Sequence, residues 1–195
     1  MNLPVQRLAD HARRACAAHL HALPRDDVRL RFGTYLSPQG IDAYVSRIDF
    51  DADALFAVHD ERLDPVGIAH LGVAGDAAEL GVSVLPGHRG RGIGSALLAR
   101  VLDHARNRRV GHLWMHCLSE NATMMRIARR AGMAIVVDAG EADARLALPP
   151  PDPASVVGEF SADQVALLDY ALKAQVAAIA RVADAVRRSA GPPGR

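Results

Sequence analysis

The spacing of hydrophobic positions changes along this chain, and each change marks a new kind of element. From residue 4 to 22, Leu8, Ala12, Ala15 and Leu20 form an apolar stripe with Arg and His opposite, which predicts a helix. Pro24-Arg25-Asp26-Asp27 is expected to break it, and Pro38 to Val45 predicts a second short helix. Ala54–His59, Val66–Val73 and Ala78–Leu85 are strand-like runs separated by the turns Leu63-Asp64-Pro65 and Gly75-Asp76, the pattern of an antiparallel meander. After Pro86-Gly87-His88 the period becomes helical: Ile93, Leu97, Val101 and His104 share one face of a helix over Ile93–Arg106. Leu113–Leu118 reads as a strand. A helix then opens at Ser119-Glu120-Asn121 and closes at Gly132 behind the cationic turn Arg129-Arg130. Met133–Asp138 and Ala144–Leu148 make a last strand pair around Ala139-Gly140. Strand, helix, strand, helix, strand in the middle of the chain predicts an α/β (α+β) fold, a mixed sheet with a helix crossing over it.

Pro149-Pro150-Pro151-Asp152-Pro153 is a stiff break in this pattern. Beyond it, Ser161-Ala-Asp-Gln164 has the form of a capping box. Val165, Leu168, Leu172, Val176, Ile179 and Val186 then repeat at helical steps, an amphipathic helix of roughly seven turns. Such a helix could dock on its own domain, pair with a second copy to give a homodimer, or meet another protein. The expected organisation is a domain over residues 1–148, a Pro-rich linker over 149–160, a C-terminal helix over 161–189 and a disordered tail over 190–195.

Composition narrows the class. With 195 residues, half of them hydrophobic, the chain can bury one ordinary core. A net charge of +1 provides no field to gather nucleic acid or an anionic membrane, so neither is an expected partner. No apolar run approaches a membrane span. Two cysteines, Cys16 and Cys117, are too few for a disulfide scaffold, and Met1 to Asp10 lacks the order of a signal peptide, so a cytoplasmic setting is expected. His19-x-His21 has no Cys, Asp or Glu cluster beside it; it reads as a solvated helix end, and no metal is expected.

The chemistry concentrates in Arg89-Gly90-Arg91-Gly92-Ile93-Gly94-Ser95, between a strand end and a helix start. Alternate glycines let the backbone curl close to a ligand. Amides pointing into that curl, beside the positive end of a helix, bind anions, and Arg89 and Arg91 suit phosphate. A pyrophosphate is the natural guest. The Gly-Lys-Ser/Thr of a Walker loop is absent, and the glycine spacing fits a Rossmann turn poorly, as does a preceding strand that belongs to a meander.

The segment resembles the signature of the GNAT superfamily of N-acetyltransferases, Gln/Arg-x-x-Gly-x-Gly/Ala between a strand and a helix. Val82-Ser83-Val84-Leu85-Pro86 is similar to the strand before that signature, and Ser95-Ala96-Leu97-Leu98 to the helix after it. Asn121 to Arg130 followed by Ala131-Gly132-Met133 resembles the family's second motif, with Met133 in place of the usual Phe. The likeness covers roughly residues 24 to 148. Arg25–Phe32 and Asn121-x-x-Met124 further resemble the GNAT domains of bacterial Pat-type protein-lysine acetyltransferases. The resemblance implies a mostly antiparallel sheet with one splayed parallel pair and helices on both faces. It implies acetyl-CoA as cosubstrate. The amides from Gly90 through Arg91, Gly92, Ile93 and Gly94 to Ser95 would hold its pyrophosphate. Val82, Ser83 and Val84 would run beside the pantetheine arm, the Val84 amide would polarise the thioester carbonyl, and Asn121 would bond the arm at the splay.

Acyl transfer to an amine also needs a proton acceptor. Two candidates stand out: Glu79, at the start of the strand before the glycine turn, and His116, which shares a strand face with Trp114 and Leu118. Many relatives carry a Tyr seven residues after the motif Asn to protonate the departing thiolate; here that position is Ala128. Tyr35, Tyr44 and Tyr170 lie elsewhere, which leaves the acid unassigned. Cys117 alternates with core positions Leu113 and Met115 and reads as core. Two functions therefore stand: an acetyltransferase acting on a small-molecule or protein amine, and an acyl-CoA-binding regulatory module with little turnover.

Overall fold

In the computed structural model, which describes residues 3–189, the chain opens with strand β1 (Gln6–Leu8) and a 3₁₀ turn (Asp10–Ala12). Helices α1 (Arg13–His21), α2 (Arg25–Phe32) and α3 (Pro38–Ser46) follow. The meander is β2 (Ala54–His59), β3 (Pro65–Ala74) and β4 (Ala77–Val84). Then come α4 (Ile93–Asn107), β5 (His112–Leu118), α5 (Ala122–Arg130), β6 (Ala134–Asp138), β7 (Glu141–Ala147) and α6 (Pro153–Ser189). The strands make one sheet in the order β1-β2-β3-β4-β5-β7-β6. Every pair is antiparallel except β4 with β5, which α4 connects as a crossover. This is the mixed sheet that the hydrophobic pattern predicts.

Strand alternation splits the core in two. On one face Phe56, Leu71, Leu80 and Leu113 pack against Leu97 and Val101 of α4. On the other, Leu55, Ala57 and Ile68 pack against Leu20 of α1 and Ile41 and Val45 of α3. The His104 predicted on the apolar face of α4 is buried there, edge-on to Phe56.

Four local expectations are corrected. Residues 4–22 are not one helix: Gln6–Leu8 pairs with Leu55–Ala57 at the sheet edge, where the ladder takes up its backbone groups, and the helix starts only at Arg13. The first helix does end before Pro24, at His21, but the segment is no mere break: the fixed φ of Pro24 leads into α2, whose first turn carries Asp26 and Asp27 and whose end is capped by left-handed Gly33. β7 begins at Glu141, three residues before the expected strand, because Ala139 and Gly140 both take positive φ and make a two-residue hairpin loop. The C-terminal helix begins at Pro153. Ser161 therefore lies inside it, its hydroxyl donating to the Val157 carbonyl rather than capping an end. The tail expected over 190–195 lies outside the described residues.

His19 is a further correction. It is no solvated helix end: it is 2% exposed, with Nδ1 2.8 Å from the Pro65 carbonyl and Nε2 2.9 Å from Ser83 Oγ. Burial pushes it down from 6.5 to about 4. The unfolded chain therefore binds the extra proton first. Stability from this group is complete above pH 6.5 and is lost as the pH falls toward 4. Denaturant unfolding is expected to show it, with a slope from this one proton of up to about 1.4 kcal/mol per pH unit in that window. His19→Gln should flatten it; an unchanged slope would contradict the assignment.

α6 docks on the domain by its polar side. Arg100 and His104 of α4, each 5% exposed, meet Glu159: Arg100 Nη1 at 2.9 Å and His104 Nδ1 at 2.6 Å. Arg100 Nη2 also reaches Asp163 at 2.5 Å, and Asn107 donates to Glu159 at 2.6 Å. Burial alone would raise the Glu159 carboxyl, but bonds from His104, Asn107 and Arg100 outweigh it and hold the group at about 2. Farther along, Ala166 is buried and Lys173 donates to the His59 carbonyl.

Candidate active site at the splayed strands

β4 and β5 pair only over Ala77–Glu79 with His112–Trp114, and beyond Glu79 they part. The Leu85 amide bonds the Val66 carbonyl on the β3 side. Alternation therefore turns the Val82 and Val84 backbone groups toward the open side, where the Val84 carbonyl accepts from Arg89 Nε at 3.1 Å. A cleft of about 420 Å³ opens along this edge. Val82, Ser83 and Val84 form one wall, the glycine turn its end, and Asn121, Met124 and Ile127 of α5 the opposite wall. α2 closes it from above with Asp27, Leu30 and Arg31. α2 is fastened at both margins, Arg29 to Glu120 and Asp27 to Arg89 at 2.5 Å.

The glycine turn divides its labour. Gly90 and Gly92 take φ of +75° and +81°, with open space where a side chain would stand. Gly92 is the N-cap of α4, so the first amides of that helix face the cleft end without a side-chain cap. Gly94 serves packing instead: a Cβ there would meet Ile127 Cδ1 at 3.1 Å. Ile93 is buried beneath the turn, and Ser95 lines the cleft. Arg89 lies in the cleft but is held against Asp27, while Arg91 is exposed and is not among the lining residues. Arg126 and Arg130 line the cleft as well, beside His88, so guanidinium groups outnumber the single carboxylate, Asp27. This donor set fits a pyrophosphate. Asn121 stands at the splay as N-cap of α5, its Oδ1 accepting from the Met124 amide at 3.1 Å.

A second pocket, about 200 Å³, adjoins the first on the face that bears α1 to α3, and Arg31 lines both. Its floor is His70 and Gly72 of β3, Glu79 and Gly81 of β4, and His116 of β5; Phe32 and Tyr44 roof it. Both proton acceptors expected from sequence thus line one pocket. Glu79 is exposed. His116 Nδ1 lies 2.9 Å from Asp143, whose hydrogen bond raises its pKa against the smaller opposing effect of burial. Gly81 makes room for Arg31: a Cβ there would fall 1.9 Å from the guanidinium carbon.

Four connected groups, three lining the pocket and Asp53 behind them, were given no role by the sequence reading. Tyr44 Oη lies 2.6 Å from His70 Nδ1, His70 Nε2 lies 3.1 Å from Asp53 Oδ2, and Arg31 donates to the Tyr44 oxygen at 3.0 Å. The signal was present in part: His70 interrupts the apolar run of its strand on the face shared with Ile68. The helical partner, Tyr44, comes from a separate element that no local pattern connects to it. At the position where a Tyr acid is common, Ala128 is fully buried, so no group there faces the cleft. Cys117 is buried against Met125, and burial pushes its thiol up, which fits its reading as core. Among the described residues no group of three or more His, Cys, Asp and Glu could hold a metal ion, and no helix is long and apolar enough to cross a membrane.

Comparison with known proteins bears on the family and the fold. A stretch of 53 residues is 45% identical to streptothricin acetyltransferase of Streptomyces lavendulae, covering 27% of this chain and 28% of that protein's length. Among solved structures, the GNAT domain of S. lividans PAT superposes with a TM-score of 0.63 at 19% identity, over 74% of this chain and 89% of that one. The ribosomal-protein-alanine N-acetyltransferase of Brucella melitensis gives 0.59 at 21% identity over 74% and 99%. The yncA protein of Salmonella typhimurium, solved with its cofactor acetyl-CoA, gives 0.57 at 20% over 78% and 99%. At these identities the structural likenesses establish the fold. Residues 18–133, more than half of the sequence, match the acetyltransferase (GNAT) family, and the chain belongs to it.

Proposed function

We propose that this protein transfers the acetyl group of acetyl-CoA to a primary amine by direct attack in a ternary complex. The observation that carries this reading is the junction of two pockets at the β4–β5 splay. One is cationic and glycine-ended, and the other holds Glu79, His116 and Tyr44. The pyrophosphate would sit on the amides from Gly90 to Ser95, with Arg126 and Arg130 nearby and Arg89 released from Asp27. The pantetheine arm would lie along Val82–Val84 as an added strand, bonded by Asn121, and the Val84 amide would face the thioester oxygen. Arg91 would act only as a peripheral charge.

The acceptor arrives as an ammonium ion. Glu79 would attract it and take the first proton, passing it to solvent, with His116 and its partner Asp143 beside it. A pocket of about 200 Å³ admits a primary amine on a slender chain, such as a protein lysine, a chain terminus or a small amine. The test is release of free thiol from acetyl-CoA in the presence of an amine panel. Amine-dependent release is expected. Tight CoA binding without turnover on any amine, peptide or protein would instead favour a regulatory acyl-CoA-binding module, the reading that the buried Ala128 supports.

We further propose a homodimer through α6. Its polar side faces the domain, while Val157, Val165, Leu168, Leu172, Val176 and Ile179, each more than half exposed, line the other side. Their helical spacing makes one continuous stripe. Six large apolar side chains in one stripe, flanked by exposed Phe160 and Val182, suit the core of an interface that buries ~800 Å² on each partner. A second copy supplies the same stripe, self-complementary about a two-fold axis. Light scattering should give twice the chain mass, and Leu168→Glu with Leu172→Glu should give the monomer; a monomeric parent would remove the idea.

A further inference from the structure

We infer that Tyr44, His70 and Asp53 form a proton relay for the acceptor amine, a system that rests on the acetyl-transfer reading for its use. Four elements bring it together. Asp53 precedes β2 and is pinned by the Val73 amide, which donates to its Oδ1 at 3.1 Å. His70 stands on β3, Tyr44 descends from α3, and Arg31 reaches in from α2. The side chains of His70 and Asp53 are each 15% exposed, so the pair is largely shielded from bulk water, while Tyr44 and His70 both line the small pocket.

The bonding fixes direction. A carboxylate can only accept, so His70 Nε2 carries the hydrogen that meets Asp53. Nδ1 of a neutral ring is then an acceptor, and Tyr44 donates its hydroxyl proton to it. The Tyr44 oxygen also accepts from the Arg31 guanidinium, which stabilises negative charge developing there. Burial lowers the His70 pKa against the opposing bond from Asp53, so the ring is free to receive a proton at neutral pH. This is the arrangement of a hydroxyl, an imidazole and a carboxylate in series, with a phenol in the first place.

The steps balance with one proton. The neutral amine nitrogen forms its bond to the acyl carbon, and its N–H proton passes to Tyr44 Oη as the phenol's own proton passes to His70 Nδ1. The imidazolium is held at Nε2 by Asp53. When the carbon–sulfur bond breaks, the proton returns by the same path to the departing CoA thiolate, and all three groups are restored. Tyr44 is the catalytic member; His70 and Asp53 act through it. The relay supplies the acid that Ala128 cannot, from the opposite side of the sheet edge.

Two measurements on the full chain test this. Nitrogen NMR of the histidine side chains should find His70 protonated at Nε2, with an Nδ1 shift that moves in Tyr44→Phe and an Nε2 shift that moves in Asp53→Asn. A ring protonated at Nδ1 would overturn the relay whether or not any amine is turned over. Steady-state kinetics should give Tyr44→Phe and His70→Gln a kcat lower by about 100-fold, at the low end of general acid–base effects, with acetyl-CoA affinity within twofold of the parent. A kcat within twofold of the parent in Tyr44→Phe, or a loss confined to the KM for the amine, would overturn it. Absence of turnover in the parent protein would strike the acetyl-transfer reading, leaving the NMR result to decide the hydrogen-bonded array separately.

Discussion

Gly92→Glu is expected to weaken CoA binding at least 100-fold, about 2.7 kcal/mol, while the protein still folds. Gly92 caps α4 at φ +81°, with nothing within 4 Å of the position its side chain would take. Glutamate therefore meets no neighbour, yet places a carboxylate where the helix amides converge on a pyrophosphate. The left-handed backbone costs a non-glycine residue roughly 1–2 kcal/mol, which a domain of this size survives. Gly92→Ala carries the same backbone cost without the charge, so calorimetric titration of CoA into both variants separates the effects. A large loss in Gly92→Glu with a small one in Gly92→Ala is the expected outcome. Undiminished binding in Gly92→Glu would mean that the turn does not hold the donor.

The second large effect concerns stability. Glu159→Gln removes the charge that faces both Arg100 and His104, each 5% exposed. A broken buried pair typically costs about 3–5 kcal/mol, and because Arg100 keeps Asp163 the lower end, about 3 kcal/mol, is expected. For a chain of this length, that lowers the melting temperature by roughly 10 °C, at about 2–4 °C per kcal/mol. The depressed carboxyl fixes the pH range. Its contribution is complete above 4.5, the ordinary carboxylate value, and disappears as the pH falls toward 2, so the deficit of the variant is full at neutral pH. A loss below about 1 kcal/mol would show that Glu159 is not what anchors α6. The residue Asp163, which also meets Arg100, marks the remaining attachment.

These two sites differ in how far the sequence discloses them. The glycine turn is local: spacing, flanking strand and following helix lie within a dozen residues, and the structure puts Gly90 and Gly92 in the conformations that only glycine adopts readily. The meander and α4 are equally legible because one face of each is buried and the period records it. α2 was hidden by Pro24, a residue that ends one helix and begins another with equal ease. β1 was hidden because a short edge strand leaves little pattern of its own.

The acceptor side is harder still. Tyr44, His70 and Asp53 are drawn from three segments, and only the sheet register with the packing of α3 makes them neighbours. His19 teaches the same lesson in reverse. Beside His21 it resembled a polar helix end, yet burial between α1, Pro65 and Ser83 gave it a structural role. In α6 the pattern was legible but its direction was not. The apolar stripe that suggests docking faces away from the domain, and the polar face is the one that docks.

The most direct test of the whole account is a crystal structure of the protein with CoA. The pyrophosphate is expected on the amides of Gly90 to Ser95 and the pantetheine arm along Val82–Val84. The sulfur is expected at the junction that Arg31 shares with the pocket of Glu79 and Tyr44. CoA bound elsewhere, or a sulfur turned away from that pocket, would contradict this placement.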